Sequence, residues 1–374
     1  MKEPIYLDYA ATTPTDADAL SSALPYYTDA FYNPSSTHAL GMRAASAVEC
    51  ARAECARAIN CTPSEIFFTS GATEAINWVI NKLVKYESGR SRIVVSGLEH
   101  DCVFECVENI HKLRFDVATV QPDADGIIKP EALERVVNEN TALVCVMTVN
   151  NIIGTVQPIK ELARVAHAVG ADFFTDAVQA VNTQKIDVRD SDVDFLAVSG
   201  HKFYAPKGCG FLYMKSGVGL HPFVLGGGQE RGMRAGTVDV PAVVAMGKAI
   251  TKAVEMRSEY VEHAKAVAEA FTGALEFGHI IAENSPRTPD ILSVAFDGAD
   301  GGRLAVALSM AGVCCSVGSA CSAGSATPPQ TLLNMGFESA RSSVRFSFGR
   351  QTTEKQAKEA AEIVNATVKR LLGK

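Results

Sequence analysis

The sequence predicts an α/β fold, with a mainly parallel sheet covered by helices and a smaller α+β unit after it. Between about residues 43 and 255, short continuous apolar runs alternate with segments of helical spacing. Strands that are apolar on both faces belong between two layers of helix, the setting of a parallel sheet. In the last third the rhythm changes to more widely spaced strand patterns with helices between and after them. No repeat or low-complexity tract interrupts either part. The glycine-rich stretches at 226–236 and 316–326 are too short to be linkers, so they read as functional loops.

Each element has its own signal. Ile66-Phe67-Phe68-Thr69 is an apolar run ending in a Ser-Gly turn, and a helix is expected over 73–85. Ile93-Val94-Val95-Ser96 is a second run, followed by a helix from about Asp101. Strands are expected at 142–149, 172–177, 195–200 and 210–214, and in the last third at 291–296, 313–317 and 343–348. The final helix carries a capping box, Thr353 with Gln356, and a terminal Gly373. In such sheets ligands bind beyond the carboxyl ends of the strands, so polar residues just after the apolar runs are the first candidates for a site.

Composition excludes several classes. The 374 residues are 47% hydrophobic, enough for a large core. Net charge is -7 and no lysine or arginine run stands out, which argues against nucleic-acid binding. The N-terminus lacks the apolar stretch of a secretory signal, and no apolar run approaches the roughly 18 residues of a membrane span. Ten cysteines lie at 50, 55, 61, 102, 106, 145, 209, 314, 315 and 321. Most sit in apolar stretches, as Cys145 does, and read as small core residues. No Cys-x-x-Cys pair exists, so no resident metal is expected and a reducing cytoplasm is favoured over a disulfide framework.

Four strand-end segments form a constellation. Thr69-Ser70-Gly71-Ala72-Thr73-Glu74 puts a helix N-terminus after a strand, where free N–H groups and the helix dipole suit a phosphate. Phe173-Phe174-Thr175-Asp176-Ala177-Val178-Gln179 ends a strand in a carboxylate that can pair with a protonated pyridine nitrogen; Gln179 can bond a ring hydroxyl. Val198-Ser199-Gly200-His201-Lys202 offers an amine able to hold an aldehyde cofactor, with Ser199 and His201 on its phosphate. Glu99-His100 places an imidazole that can stack on a flat ring and relay protons. Taken singly, these are helix caps, a surface lysine and a structural histidine. They gain meaning by occurring together, in the order one fold requires.

The four segments resemble the class V aminotransferase group, whose members use pyridoxal phosphate. So does Gly227-Gly228-Gln229-Glu230-Arg231-Gly232-Met233-Arg234-Ala235-Gly236-Thr237. The resemblance runs from Tyr6-Leu7-Asp8-Tyr9-Ala10-Ala11-Thr12-Thr13 to Arg350. It implies the type I fold of pyridoxal-phosphate enzymes. The large domain, 13–257, would hold a seven-stranded sheet and the cofactor; a small α+β domain, 1–12 with 258–374, would carry the catalytic cysteine. It also implies a homodimer, in which Thr237 reaches the partner's cofactor phosphate. Ala72, Thr73, His100, Asn151, Asp176, Gln179, Ser199, His201 and Lys202 are the implied cofactor residues within the chain.

Within that group the chain resembles cysteine desulfurases of the NifS/IscS type, because of Ser316-Val317-Gly318-Ser319-Ala320-Cys321-Ser322-Ala323-Gly324-Ser325. A cysteine among small residues has little to bury against and can carry sulfur. Cys321, Lys202 and His100 are thus the implied catalytic residues, with Cys321 at most a transient iron–sulfur ligand. Arg345 alternates with Val344 and Phe346 on a strand and can grip an α-carboxylate; Asn33 and Asn151 also match segments lining the site. The implied reaction takes L-cysteine to L-alanine, with sulfur passed to an acceptor such as an iron–sulfur scaffold protein. Selenocysteine lyase and a silent sulfur-relay protein are the alternatives. Ile152 stands where the family would have glutamate, and only one helix follows Arg350. The longer tail that helps relatives dock their scaffold is thus not matched, and the acceptor stays open.

Overall fold

The computed structural model describes residues 3–82, 89–113, 115–318 and 328–373. In chain order the described strands are β1 (Ile5–Tyr6), β2 (Ile66–Thr69), β3 (Arg92–Ser96), β4 (Asp116–Val120), β5 (Thr141–Cys145), β6 (Asp172–Asp176), β7 (Phe195–Ser199), β8 (Gly210–Met214), β9 (His279–Ile280), β10 (Ile291–Ala295), β11 (Val313–Cys314) and β12 (Ser343–Ser347). Seven of them form the main sheet, in the order β2-β8-β7-β6-β5-β3-β4. β8 runs antiparallel to both neighbours, and the remaining pairs are parallel.

Successive residues of these strands go to opposite faces, which is why uninterrupted apolar runs are needed. Phe68, Val144, Phe173 and Phe211 join one core with Val48 and Cys55 of the Ala39–Ala58 helix and Met246 and Ile250 of the Val240–Glu255 helix. Phe67, Cys145, Phe174 and Leu212 join the other with Ile76 and Val79 of the Ala72–Ile80 helix and Val103 and Ile110 of the Asp101–Lys112 helix. Burying each such phenylalanine stabilises the fold by about 2–3 kcal/mol. No described helix is long and apolar enough to cross a membrane.

The last third builds a second assembly. β10 is the centre of a three-stranded antiparallel sheet, β12-β10-β9, backed by the helices Arg257–Thr272, Gly301–Met310 and Glu354–Leu372. β1 pairs in parallel with β11. The final helix has the expected capping box and ends at Gly373, whose φ of 66° favours glycine.

Some elements differ from the sequence reading. The run at 142–149 is a strand only to Cys145, because the chain turns back through a bridge between Val149 and Val156. The run at 313–317 is a strand only over Val313–Cys314; Ser316 bridges to Arg345 instead. The helix expected over 73–85 is described over Ala72–Ile80. β4 has no continuous apolar run because it is a half-exposed edge strand, which hid it from periodicity.

Candidate active site

The residues that follow β2, β3, β6 and β7 converge on a cavity of about 530 Å³. Its lining includes Ala72, Thr73, His100, Asn151 and Asp176, and also Gln179, Ser199, His201, Lys202 and Arg345. Those from Ala72 to Lys202, some 130 positions of sequence, are neighbours because the strands present their ends on one edge of the sheet, and Arg345 joins them from β12.

One corner of the cavity is built by backbone. Gly71 begins the Ala72–Ile80 helix at a φ of 153°, and no side chain caps the helix. Its first N–H groups are thus left for an anion. Gly210 makes the corner possible: a β-carbon there would fall 2.4 Å from the Val198 carbonyl oxygen and 2.7 Å from Gly71 Cα. Glu74 anchors the turn, accepting from Ser70 N–H at 2.8 Å and pairing with Arg234. Ser199 and His201 complete this corner. Burial, with the charges of Lys202 and Lys207, pushes the His201 imidazole down to about 4, so it is a neutral partner.

Asp176 ends β6 buried, at 4% exposure, with Oδ1 accepting from Val178 N–H at 2.8 Å. Burial raises its carboxyl above the usual range, offset in part by His100 and Lys202. Lys202 follows β7 in a short 3-10 turn. Its Nζ donates to the carbonyls of Ala10 at 2.6 Å and Ala11 at 2.7 Å, and Gln179 Nε2 donates to Ala10 at 2.9 Å. The N-terminal segment thus supports the reactive end of the site.

His100 caps the Asp101–Lys112 helix: its Nδ1 accepts from Cys102 N–H at 3.1 Å. In the neutral ring the proton then belongs on Nε2. Beneath it Glu99 is 3% exposed, and its Oε1 accepts from the Ser96 hydroxyl at 2.6 Å and Met147 N–H at 2.7 Å. Burial, with Asp176 nearby, pushes the Glu99 carboxyl up to about 8.

Arg345 reaches the cavity from β12 with its side chain 1% exposed, while Val344 and Phe346 enter the neighbouring core, as strand alternation requires. Nη1 donates to the Asn151 carbonyl and Nη2 to Asp8 Oδ1, each at 2.8 Å.

Two described residues, Thr237 and Asn33, are not part of this lining. Cys321 lies outside the described residues. Thr237 is exposed and away from its own chain's cavity. Asn33 is exposed, in a turn where its Oδ1 accepts from Ser35 N–H at 2.9 Å. The sequence reading missed Cys102, Lys207 and Gly208 in the lining, and Asp8 and Glu99 behind it. Glu99 and Asp8 stood inside recognised motifs, which was the available signal. Ile152, in place of an expected glutamate, is buried in the core.

The model of the aminotransferase class-V family matches residues 5–359. The chain belongs to the aminotransferase class-V family. This class-V chain is similar to the cysteine desulfurase IscS of Clostridium botulinum, 37% identical over 380 residues that span 99% of this chain and 95% of that protein. A solved NifS-like protein matches with a TM-score of 0.92 at 32% identity, covering 98% of this chain and all of the other. A structure of SspA in complex with cysteine matches with a TM-score of 0.79 at 33% identity, covering 92% and 98%.

A class-V cofactor, pyridoxal phosphate, fits the residues present. The uncapped helix N-terminus suits its phosphate, the buried Asp176 suits its ring nitrogen, and the Lys202 amine suits its aldehyde.

Proposed function

We propose that this class-V chain is a pyridoxal-phosphate-dependent cysteine desulfurase that converts L-cysteine to L-alanine and takes the sulfur onto Cys321 as a persulfide. One observation carries the reading: an amine, a buried carboxylate, an uncapped helix N-terminus and a buried guanidinium share one cavity, in a chain similar throughout to cysteine desulfurases.

Ala72, Thr73, Ser199 and His201 would hold the cofactor's phosphate, Asp176 its ring nitrogen, Gln179 its ring hydroxyl, and His100 and Asn151 its faces. When bound, the cofactor supplies an electron sink for charge that develops at the substrate Cα. Lys202 would hold the cofactor through Nζ, and the same atom would take the Cα proton. Arg345 binds the α-carboxylate. His100, with Nδ1 committed to the helix cap, works through Nε2. Cys321, as thiolate, attacks the substrate sulfur. A sulfur–sulfur bond forms and the substrate's carbon–sulfur bond breaks; its electron pair stays on carbon, which is protonated to give alanine.

The reading includes a homodimer, supported by the exposure of Thr237 and of Leu225 at 80% on the same loop. It includes a division into 13–257 and a second unit of 1–12 with 258–374, supported by the two sheet assemblies. It includes a cytoplasmic location, supported by nine free cysteines among the described residues, and a sulfur-acceptor protein such as an iron–sulfur scaffold.

Mass spectrometry after a brief pulse of cysteine tests the core of it. Added sulfur of about 32 Da should map to the peptide containing Cys321 and vanish with reductant. Cys321→Ser should bind cofactor yet fail to release alanine. Sulfur on Cys314 or Cys315 instead, or normal desulfuration by the variant, would refute the assignment. Burial pushes the Cys315 thiol up to about 12, which keeps it protonated at neutral pH.

A further inference from the structure

We propose that Asp8 is a positioning residue for the substrate's carboxylate: it fixes the Arg345 guanidinium so that the donors Arg345 has left face an incoming α-carboxylate. The inference rests on Arg345 being the carboxylate anchor proposed above.

Arg345 has five N–H donors in a rigid plane. One on Nη1 goes to the Asn151 carbonyl and one on Nη2 to Asp8 Oδ1, each at 2.8 Å. Nε has no partner among the described residues. A guanidinium with 1% exposure is thus held at both terminal nitrogens and left with unspent donors beside the cavity it lines. Such donors are costly to leave buried and unmade, which favours a ligand that completes them.

Asp8 is itself held in place. Its Oδ2 accepts from the Ser316 hydroxyl at 2.9 Å, and its backbone bridges to Ser347, two residues from Arg345. Ser316 in turn exchanges backbone hydrogen bonds with Arg345, at 2.7 and 3.2 Å. Carboxylate, guanidinium and hydroxyl form a closed arrangement across three chain segments. An arriving carboxylate can use the remaining donors of Arg345 without displacing Asp8. Asp8 therefore acts through Arg345 by orientation, and is neither a catalytic residue nor a rival for its place.

The holoenzyme's visible absorbance, titrated with L-alanine and with ethylamine, tests this. Both ligands bring an amine, and only alanine brings a carboxylate. Asp8→Ala should weaken alanine binding by about ten-fold or more, the scale of a lost charge-assisted hydrogen bond, while ethylamine binding stays within about two-fold. For turnover of cysteine, the same variant should raise KM with kcat little changed. Asp8→Asn, which keeps size and an acceptor oxygen, should fall between, and it decides the matter if Asp8→Ala does not fold. Unchanged alanine binding in Asp8→Asn and Asp8→Ala overturns the proposal. Tighter alanine binding also overturns it, by making Asp8 a competitor. Equal weakening of both ligands reduces Asp8 to a structural role. If the wild type itself shows no preference for alanine over ethylamine, Arg345 as carboxylate anchor fails first.

Discussion

The two ends of the cavity are built differently. At the cofactor end, Thr73, His100, Asp176, Ser199 and Lys202 each stand within a few residues of a strand of one sheet, and local sequence places them. At the substrate end, Arg345 comes from a different sheet and depends on Asp8, 337 positions away. The first end rests on strand geometry that the main core fixes. The second rests on long-range polar contacts between segments that meet only when the whole chain has folded. A residue at the cofactor end should therefore fail by chemistry, and one at the substrate end by geometry.

Lys202→Ala breaks the cofactor end most severely. On the roles proposed for Lys202 it removes both the covalent hold and the base, so turnover should fall by more than about 10³-fold while the fold persists. The visible absorbance of the lysine-held cofactor should disappear with it. Retained turnover would end the assignment of Lys202.

Arg345→Lys breaks the substrate end while keeping the charge. An ammonium cannot hold Asn151, Asp8 and a carboxylate in one plane. KM for cysteine should rise by about 10- to 100-fold, with the cofactor's absorbance intact. Loss of cofactor binding in this variant would show that the two ends are not separable.

The same contrast explains what could be read from the sequence. The main sheet was legible because its strands are buried on both faces, and the short continuous runs that this requires, such as the one through Phe173 and Phe174, end in polar residues. Lys202 and Asp176 were legible because each ends such a run. β4 was hidden by its edge position, and the bend after Cys145 is set by Val149 meeting Val156, which no local pattern signals. Asp8 was visible only as a motif letter, because its partner Arg345 is distant in sequence. Asn33, in another matched segment, has its Oδ1 in a local turn with Ser35.

Glu99 sharpens the comparison through stability rather than rate. Its Oε1 accepts two hydrogen bonds, from Ser96 and Met147, and its Oε2 has no partner among the described residues. Burial raises the carboxyl from 4.5 to about 8. Below pH 4.5 folded and unfolded chains both carry the proton, and this stabilising contribution is fully present. Between 4.5 and about 8 the unfolded chain loses the proton before the folded one does, so stability falls as pH rises. The slope from this group approaches roughly 1.4 kcal/mol per pH unit within the window and ends above it. Glu99→Gln keeps an oxygen for Ser96 and Met147 but has nothing to ionise. Urea unfolding of the two holoenzymes from pH 5 to pH 8 should give curves that diverge, with the variant gaining on the wild type as pH rises. Parallel curves would mean that Glu99 is already ionised in the folded protein. The second negative charge beneath Asp176 would then have to be balanced by a cation at the cofactor end.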